Sequence, residues 1–204
     1  MLELYHEWYT KRDYEQLDLF KTMADSFQVQ SVLYPGSYVH ISPSFFIPSA
    51  CYVDKDQKAN RFFKDIEGLT KEIQKRAAYQ GPVCLKYYSQ DYTKPIPEPE
   101  HSFDLLISQY AGFICQPCKR YLKHGGLLLV NNSHGDAGIA ALDEEYQLCG
   151  VFNRRDGRYV YSERDLDSYF IPKKQNQNLR AHLLQTGKGV AYTKTAALYL
   201  FQLL

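Results

Sequence analysis

The feature that most constrains this chain is a succession of short apolar runs, each closed by a turn-forming or polar residue. They are Ser31–Tyr34, Ala50–Val53, Val83–Tyr88, Phe103–Ser108, Gly126–Asn131, Tyr146–Phe152 and Ala196–Leu203, with Arg158–Tyr161 as a possible eighth. Runs of four to eight apolar residues between turn signals read as buried strands. Between the early runs the period changes to three and four. Leu17, Phe20, Met23, Ala24 and Phe27 form one such stripe; Phe62, Ile66, Leu69, Ile73 and Ala77 form another, with a break expected near Gly68. A shorter helix is expected over Gln116–Leu122, ended by Lys123-His124-Gly125-Gly126, and one more over Ala137–Leu142. Strands alternating with helices predict an α/β fold with a mostly parallel sheet covered on both faces.

The 204 residues suffice for one domain with a large core. Within it, residues 1–28 read as an N-terminal helical segment and 153–189, polar from Pro172 to Gly189, as an insertion before the last strand. A net charge of +1 argues against a nucleic-acid-coating protein. No stretch reaches the ~20 apolar residues of a membrane span. Glu3, His6 and Glu7 sit near the start with no apolar run after them, so no signal peptide is expected. Five cysteines in such a chain fit reduced thiols, and a cytoplasmic location is expected.

In parallel sheets, ligands bind beyond the carboxyl ends of strands. The turns that matter are Tyr34-Pro35-Gly36-Ser37, Asp54, Gln90-Asp91, Ser108-Gln109-Tyr110 and Asn131-Asn132-Ser133-His134-Gly135-Asp136. Their order resembles the class I S-adenosylmethionine-dependent methyltransferases. Val32-Leu33-Tyr34-Pro35-Gly36-Ser37 is similar to the family's first strand and glycine turn, and Tyr52-Val53-Asp54 to its second strand with an acidic end. Phe103-Asp104-Leu105-Leu106-Ile107-Ser108 resembles its fourth strand. The run from Tyr121 to Val130, with Gly125-Gly126 inside it, resembles its fifth.

The resemblance implies a Rossmann-like three-layer sandwich with a seven-stranded sheet and a reversed closing strand. It implies S-adenosylmethionine as cofactor, held by Tyr34, Gly36, Ser37, Asp54, Gln90, Asp91 and Ser108, and methyl transfer to a small molecule. Physical chemistry agrees: a glycine turn lets backbone approach a ligand, and a carboxylate accepts both ribose hydroxyls through charge-assisted bonds. The departure is the glycine motif itself. The family shows acid-x-Gly-x-Gly-x-Gly, whereas here Tyr34 replaces the acid, and Tyr38 and His40 replace the later glycines. Aromatic rings at Tyr34 or Tyr38 can face a sulfonium cation favourably. The lost glycines leave open a non-catalytic binding or scaffold protein on a degenerate fold.

His134 and Asp136 are the catalytic candidates: an imidazole can take the proton that a methylated hydroxyl or amine must lose. The competing reading is that Ser133 or Asp136 caps the following helix. The Asn/Asp-Pro-Pro-aromatic motif of amino-methylating nucleic-acid enzymes is absent at Ser108-Gln109-Tyr110-Ala111, which favours a small-molecule acceptor. Cys115-Gln116-Pro117-Cys118 has the spacing of a thiol-redox motif, but little helix follows it, and as a zinc site it lacks a second Cys pair. No metal is expected. Trp8 and Tyr9 read either as a lid on the pocket or as core.

Overall fold

A computed structural model describes residues 2–174 and 177–204. Residue 1 of the expected N-terminal segment and residues 175 and 176 of the expected insertion lie outside that range. The chain divides between Pro97 and Glu98 into two compact units.

The first unit opens with α1 (Glu3–Tyr5), continued by a π-helical turn over His6–Thr10, and then α2 (Leu17–Phe27). Of the expected stripe, α2 buries Phe20 and Met23 completely and Leu17, Ala24 and Phe27 in part, with Leu19 buried beside them. Next come β1 (Ser31–Pro35), a 3-10 turn over Ser42–Phe45, β2 (Ser49–Val53), α3 (Gln57–Phe62), α4 (Ile66–Gln74) and β3 (Cys84–Tyr88). The strands are parallel in the order β3-β2-β1, with Leu33 opposite Cys51 and Cys51 opposite Lys86. This is the order found in the first half of a doubly wound, Rossmann-like sheet. The helical stripe from Phe62 to Ile73 is broken near Gly68 as expected, between Phe62 and Ile66. Asp56 caps α3 through the amides of Lys58 and Ala59, and Asp65 caps α4 by accepting the Gly68 N–H. Gly68 therefore lies in the first turn of α4, where an N–H has no intrahelical acceptor.

The second unit contains β4 (Phe103–Ser108), β5 (Leu122–Val130), α5 (Asp136–Ala141), β6 (Tyr146–Arg155), β7 (Arg158–Ser162), α6 (Leu179–Thr186) and β8 (Leu198–Leu203). Its strands run in the order β4-β5-β8-β6-β7. β4 and β5 are parallel, and every residue of β4 except Asp104 is buried. β8 runs antiparallel to both β5 and β6, so the closing strand is reversed as expected.

Three expectations are corrected. The described residues form eight strands, not seven, because β6 and β7 close into a hairpin at Asp156-Gly157. Both turn residues have positive φ, 49° and 78°, as the tight hairpin turn demands. The pairing is accordingly mixed where a mostly parallel sheet was expected: β1-β2, β2-β3 and β4-β5 are parallel, whereas β5-β8, β6-β8 and β6-β7 are antiparallel. Finally, the helix expected over Gln116–Leu122 is a single 3-10 turn at Lys119–Tyr121, and β5 begins at Leu122. The polar stretch after Pro172, within the expected insertion, carries a helix of its own. This is α6, capped by Asn178 and ended by Gly187 at a φ of 60°.

Candidate cofactor site

The carboxyl edge of β1-β2-β3 gathers Tyr34, Gly36, Ser37, Asp54, Gln90 and Asp91 in the first unit. Asp54 is its best-held member. Its N–H donates to Tyr88 O at 3.2 Å, and its carbonyl accepts the Tyr87 hydroxyl at 3.0 Å. One carboxylate oxygen accepts the Tyr38 N–H at 2.7 Å and the other the Asp56 N–H at 2.8 Å. The group is half-buried, so it reaches solvent while its position is fixed. A carboxylate offers about four acceptor directions, so two remain for incoming hydroxyls.

The turn after β1 keeps positive φ at the first two of the motif's glycine places, only one of which is still glycine. Gly36 has a φ of 63°, and its N–H bonds to Val53 O at 2.7 Å. Tyr38, where the family has its second glycine, has a φ of 50°. A non-glycine residue in that region costs roughly 1–2 kcal/mol, and such strain gathers at functional sites. His40, at the third glycine's place, sends its ring into the core. The ring is 3% exposed, stacks on Tyr9 at 4.2 Å and 2°, and meets the Tyr34 hydroxyl at 3.1 Å through Nδ1. Burial lowers its pKa to about 4. Ser37 is buried as well.

Asp91 is more heavily engaged. Lys55 Nζ bonds one oxygen at 2.9 Å, while the N–H and hydroxyl of Thr93 share the other at 3.0 and 2.8 Å. The Lys55 bond, followed by the Thr93 bonds, holds its carboxyl well below the usual range. Gln90 donates its amide to Pro95 O at 2.9 Å. Trp8 meets Tyr38 edge-on at 5.8 Å, carries Arg12 over its own ring at 4.3 Å, and is 37% exposed. Tyr9 is half-buried and stacks on the buried His40 ring, so the two lid candidates part company. The Tyr9–His40–Tyr34 arrangement and the Tyr87 clamp on Asp54 were missed by sequence reading. The one signal was polar and aromatic residues where glycines were expected.

In the second unit, Ser108 and Asp136 meet. Asp136 is 1% exposed and accepts the Ser108 hydroxyl at 2.5 Å, the Ile114 N–H at 3.1 Å and the Cys115 N–H at 3.1 Å. Desolvation raises its pKa against those bonds. Its side chain caps nothing: Gly135, at a φ of 86°, is the N-cap of α5, and the Asp136 carboxylate reaches instead to residues 108–115. Ser133 bonds Asn131, not the helix. His134 is half-buried, with no hydrogen bond to the described residues, and is not among Asp136's partners. Cys115 and Cys118 are 0% and 1% exposed; burial raises both thiols, Cys118 to about 12. Such thiols carry little thiolate near neutrality, the opposite of a redox pair. Among the described residues no helix is long and apolar enough to cross a membrane.

No protein-family model matches the chain, and no curated protein does. Solved structures are similar to it at low identity. A methyltransferase from Geobacter sulfurreducens is 16% identical over 74% of this chain and 80% of that one, with a TM-score of 0.46. The O-methyltransferase TomG from Streptomyces achromogenes, solved in complex with SAM, is 12% identical over 72% and 76%, with a TM-score of 0.47. The YcgJ protein from Bacillus subtilis is 14% identical over 93% and 98%, with a TM-score of 0.49.

Proposed function

We propose that the first unit binds S-adenosylmethionine at the carboxyl ends of β1, β2 and β3, and that the chain transfers its methyl group to a small molecule. One observation carries this reading: the positive-φ turn at Gly36 and Tyr38 hands its N–H to Asp54, fixing a carboxylate with free acceptor capacity beside a close backbone approach. In this reading Asp54 takes the ribose hydroxyls. Gly36 and Ser37 line the methionine side and Tyr38 supplies aromatic surface, whereas Tyr34, expected to do so, is 3% exposed and packed in the core. Gln90 and Asp91 flank the base; Ser108, expected as a cofactor contact, instead gives its buried hydroxyl to Asp136 within the second unit. When bound, the cofactor supplies an electrophilic methyl group; the chain's task is orientation and exclusion of water. His134 is the proposed general base, its ring nitrogens uncommitted to the described residues. Asp136 contributes by holding residues 108–115, its carboxylate being spent there.

Calorimetric titration with S-adenosylmethionine and S-adenosylhomocysteine tests the reading. A binding heat is expected for both. No heat and no thermal shift at millimolar ligand would leave a non-catalytic protein, a reading favoured by the full engagement of Asp91. Once an acceptor is known, His134→Ala should slow turnover by about a hundredfold, within the usual range for a general base, at unchanged melting temperature and cofactor affinity.

A further inference from the structure

A groove of about 730 Å³ lies in the second unit, along one face of the β6–β7 hairpin and the loop that follows it. Its size falls in the range of roughly 300–1,000 Å³ typical of small-ligand sites. Residues opposite one another across a ladder share a face. The register Asn153↔Val160 and Arg155↔Arg158 puts these four residues on one face of the hairpin with Ser162, and of them Asn153, Arg155, Val160 and Ser162 line the groove. Arg164, Glu163 and Asp165 enter from the loop, and Lys194 also lines the groove.

The charges in this groove are unequally occupied. Glu163 accepts the Tyr161 hydroxyl at 2.9 Å. Asp165 pairs with Lys194 at 3.7 Å, and that ammonium also sits 4.4 Å over the Tyr169 ring. The guanidinium groups of Arg155 and Arg164 are exposed and, among the described residues, have no hydrogen bond or ion pair. The acids are thus engaged within the protein while two guanidinium forks are not. A second observation points the same way: Arg155 stands directly across from Arg158. Like charges so placed destabilise a hairpin, and a bound anion relieves the repulsion.

We propose that this groove binds a small molecule through a phosphate group. A planar carboxylate is satisfied by one fork, whereas a phosphate presents three terminal oxygens and suits two. Ser162 completes the set: its oxygen accepts the Arg164 N–H at 3.2 Å, leaving the hydroxyl proton to donate. The site is independent of the methyl-transfer reading.

Titration of the whole chain with inorganic pyrophosphate at low salt tests the proposal, with succinate as the dicarboxylate comparison. Pyrophosphate should bind, more weakly as sodium chloride is added, and amide resonances within 153–165 should shift. Arg155→Gln and Arg164→Gln should each weaken binding by about tenfold, the loss of one charge-assisted contact. Arg164→Lys should recover part of that loss, since it keeps the charge and gives up the fork. Arg154→Gln removes the same charge from the opposite face of the hairpin and should leave affinity unchanged. The proposal is overturned by no binding at millimolar pyrophosphate, by tighter binding of succinate, or by an equal loss in Arg154→Gln. It is overturned equally if a single-stranded oligonucleotide without a terminal phosphate binds more tightly than pyrophosphate, which would mark a nucleic-acid surface instead.

Discussion

Two aspartates that follow strands, Asp54 after β2 and Asp136 after β5, look equivalent as candidates and have opposite surroundings. Asp54 accepts two N–H groups and stays half-exposed, with acceptor capacity to spare. Asp136 is sealed, and its carboxylate is filled by one hydroxyl and two main-chain amides. A carboxylate serves a ligand only when the fold fixes its position without exhausting its lone pairs. The first aspartate keeps free acceptor capacity; the second ties a loop to α5.

The contrast is broken most directly by removing each carboxylate. Asp136→Ala strands the Ser108 hydroxyl and the amides of Ile114 and Cys115 in the interior. It should cost roughly 3 kcal/mol or more, read as a lower urea midpoint, and a loss below about 1 kcal/mol would refute the anchoring role. Asp54→Ala should leave a folded protein and weaken S-adenosylmethionine binding by more than about tenfold, the value of a lost charged contact. Unchanged affinity would make Asp54 a turn residue only.

Asp91 sharpens the comparison through pH. Its folded pKa is depressed by the Lys55 bond. Its stabilising contribution is therefore present above the unfolded value of about 3.9 and disappears as pH falls through the folded value. The stability difference between the parent and Asp91→Asn should shrink on acidification below about pH 4. It should also shrink with salt, because Lys55 is exposed. A difference that stays constant with pH would show that the ion pair contributes nothing. The smallest effect is expected at the thiols. Native protein treated with iodoacetamide near neutrality should modify exposed Cys84 and spare Cys115 and Cys118. Rapid alkylation of that pair would restore the redox reading.

Periodicity alone determined most strands and the helices of the first unit, because burial of a stripe or a short apolar run is a local property of the chain. It also determined which turns close the strands, and so the residues gathered at the β1-β2-β3 edge. The β6–β7 hairpin was within reach of sequence as well, since Asp156-Gly157 is a strong turn signal, yet the pairing it forces altered the balance of the sheet. Only the tertiary structure decided the rest. Positive φ at Tyr38 reflects the amide's bond to Asp54, 16 residues on. His40 is a core ring because Tyr9, far away in sequence, stacks on it. Asp136 became an anchor because residues 108–115 bring two amides and a hydroxyl to it. Each of these depends on a partner distant along the chain, and the demand that a buried polar group find a partner names no partner until the chain has folded.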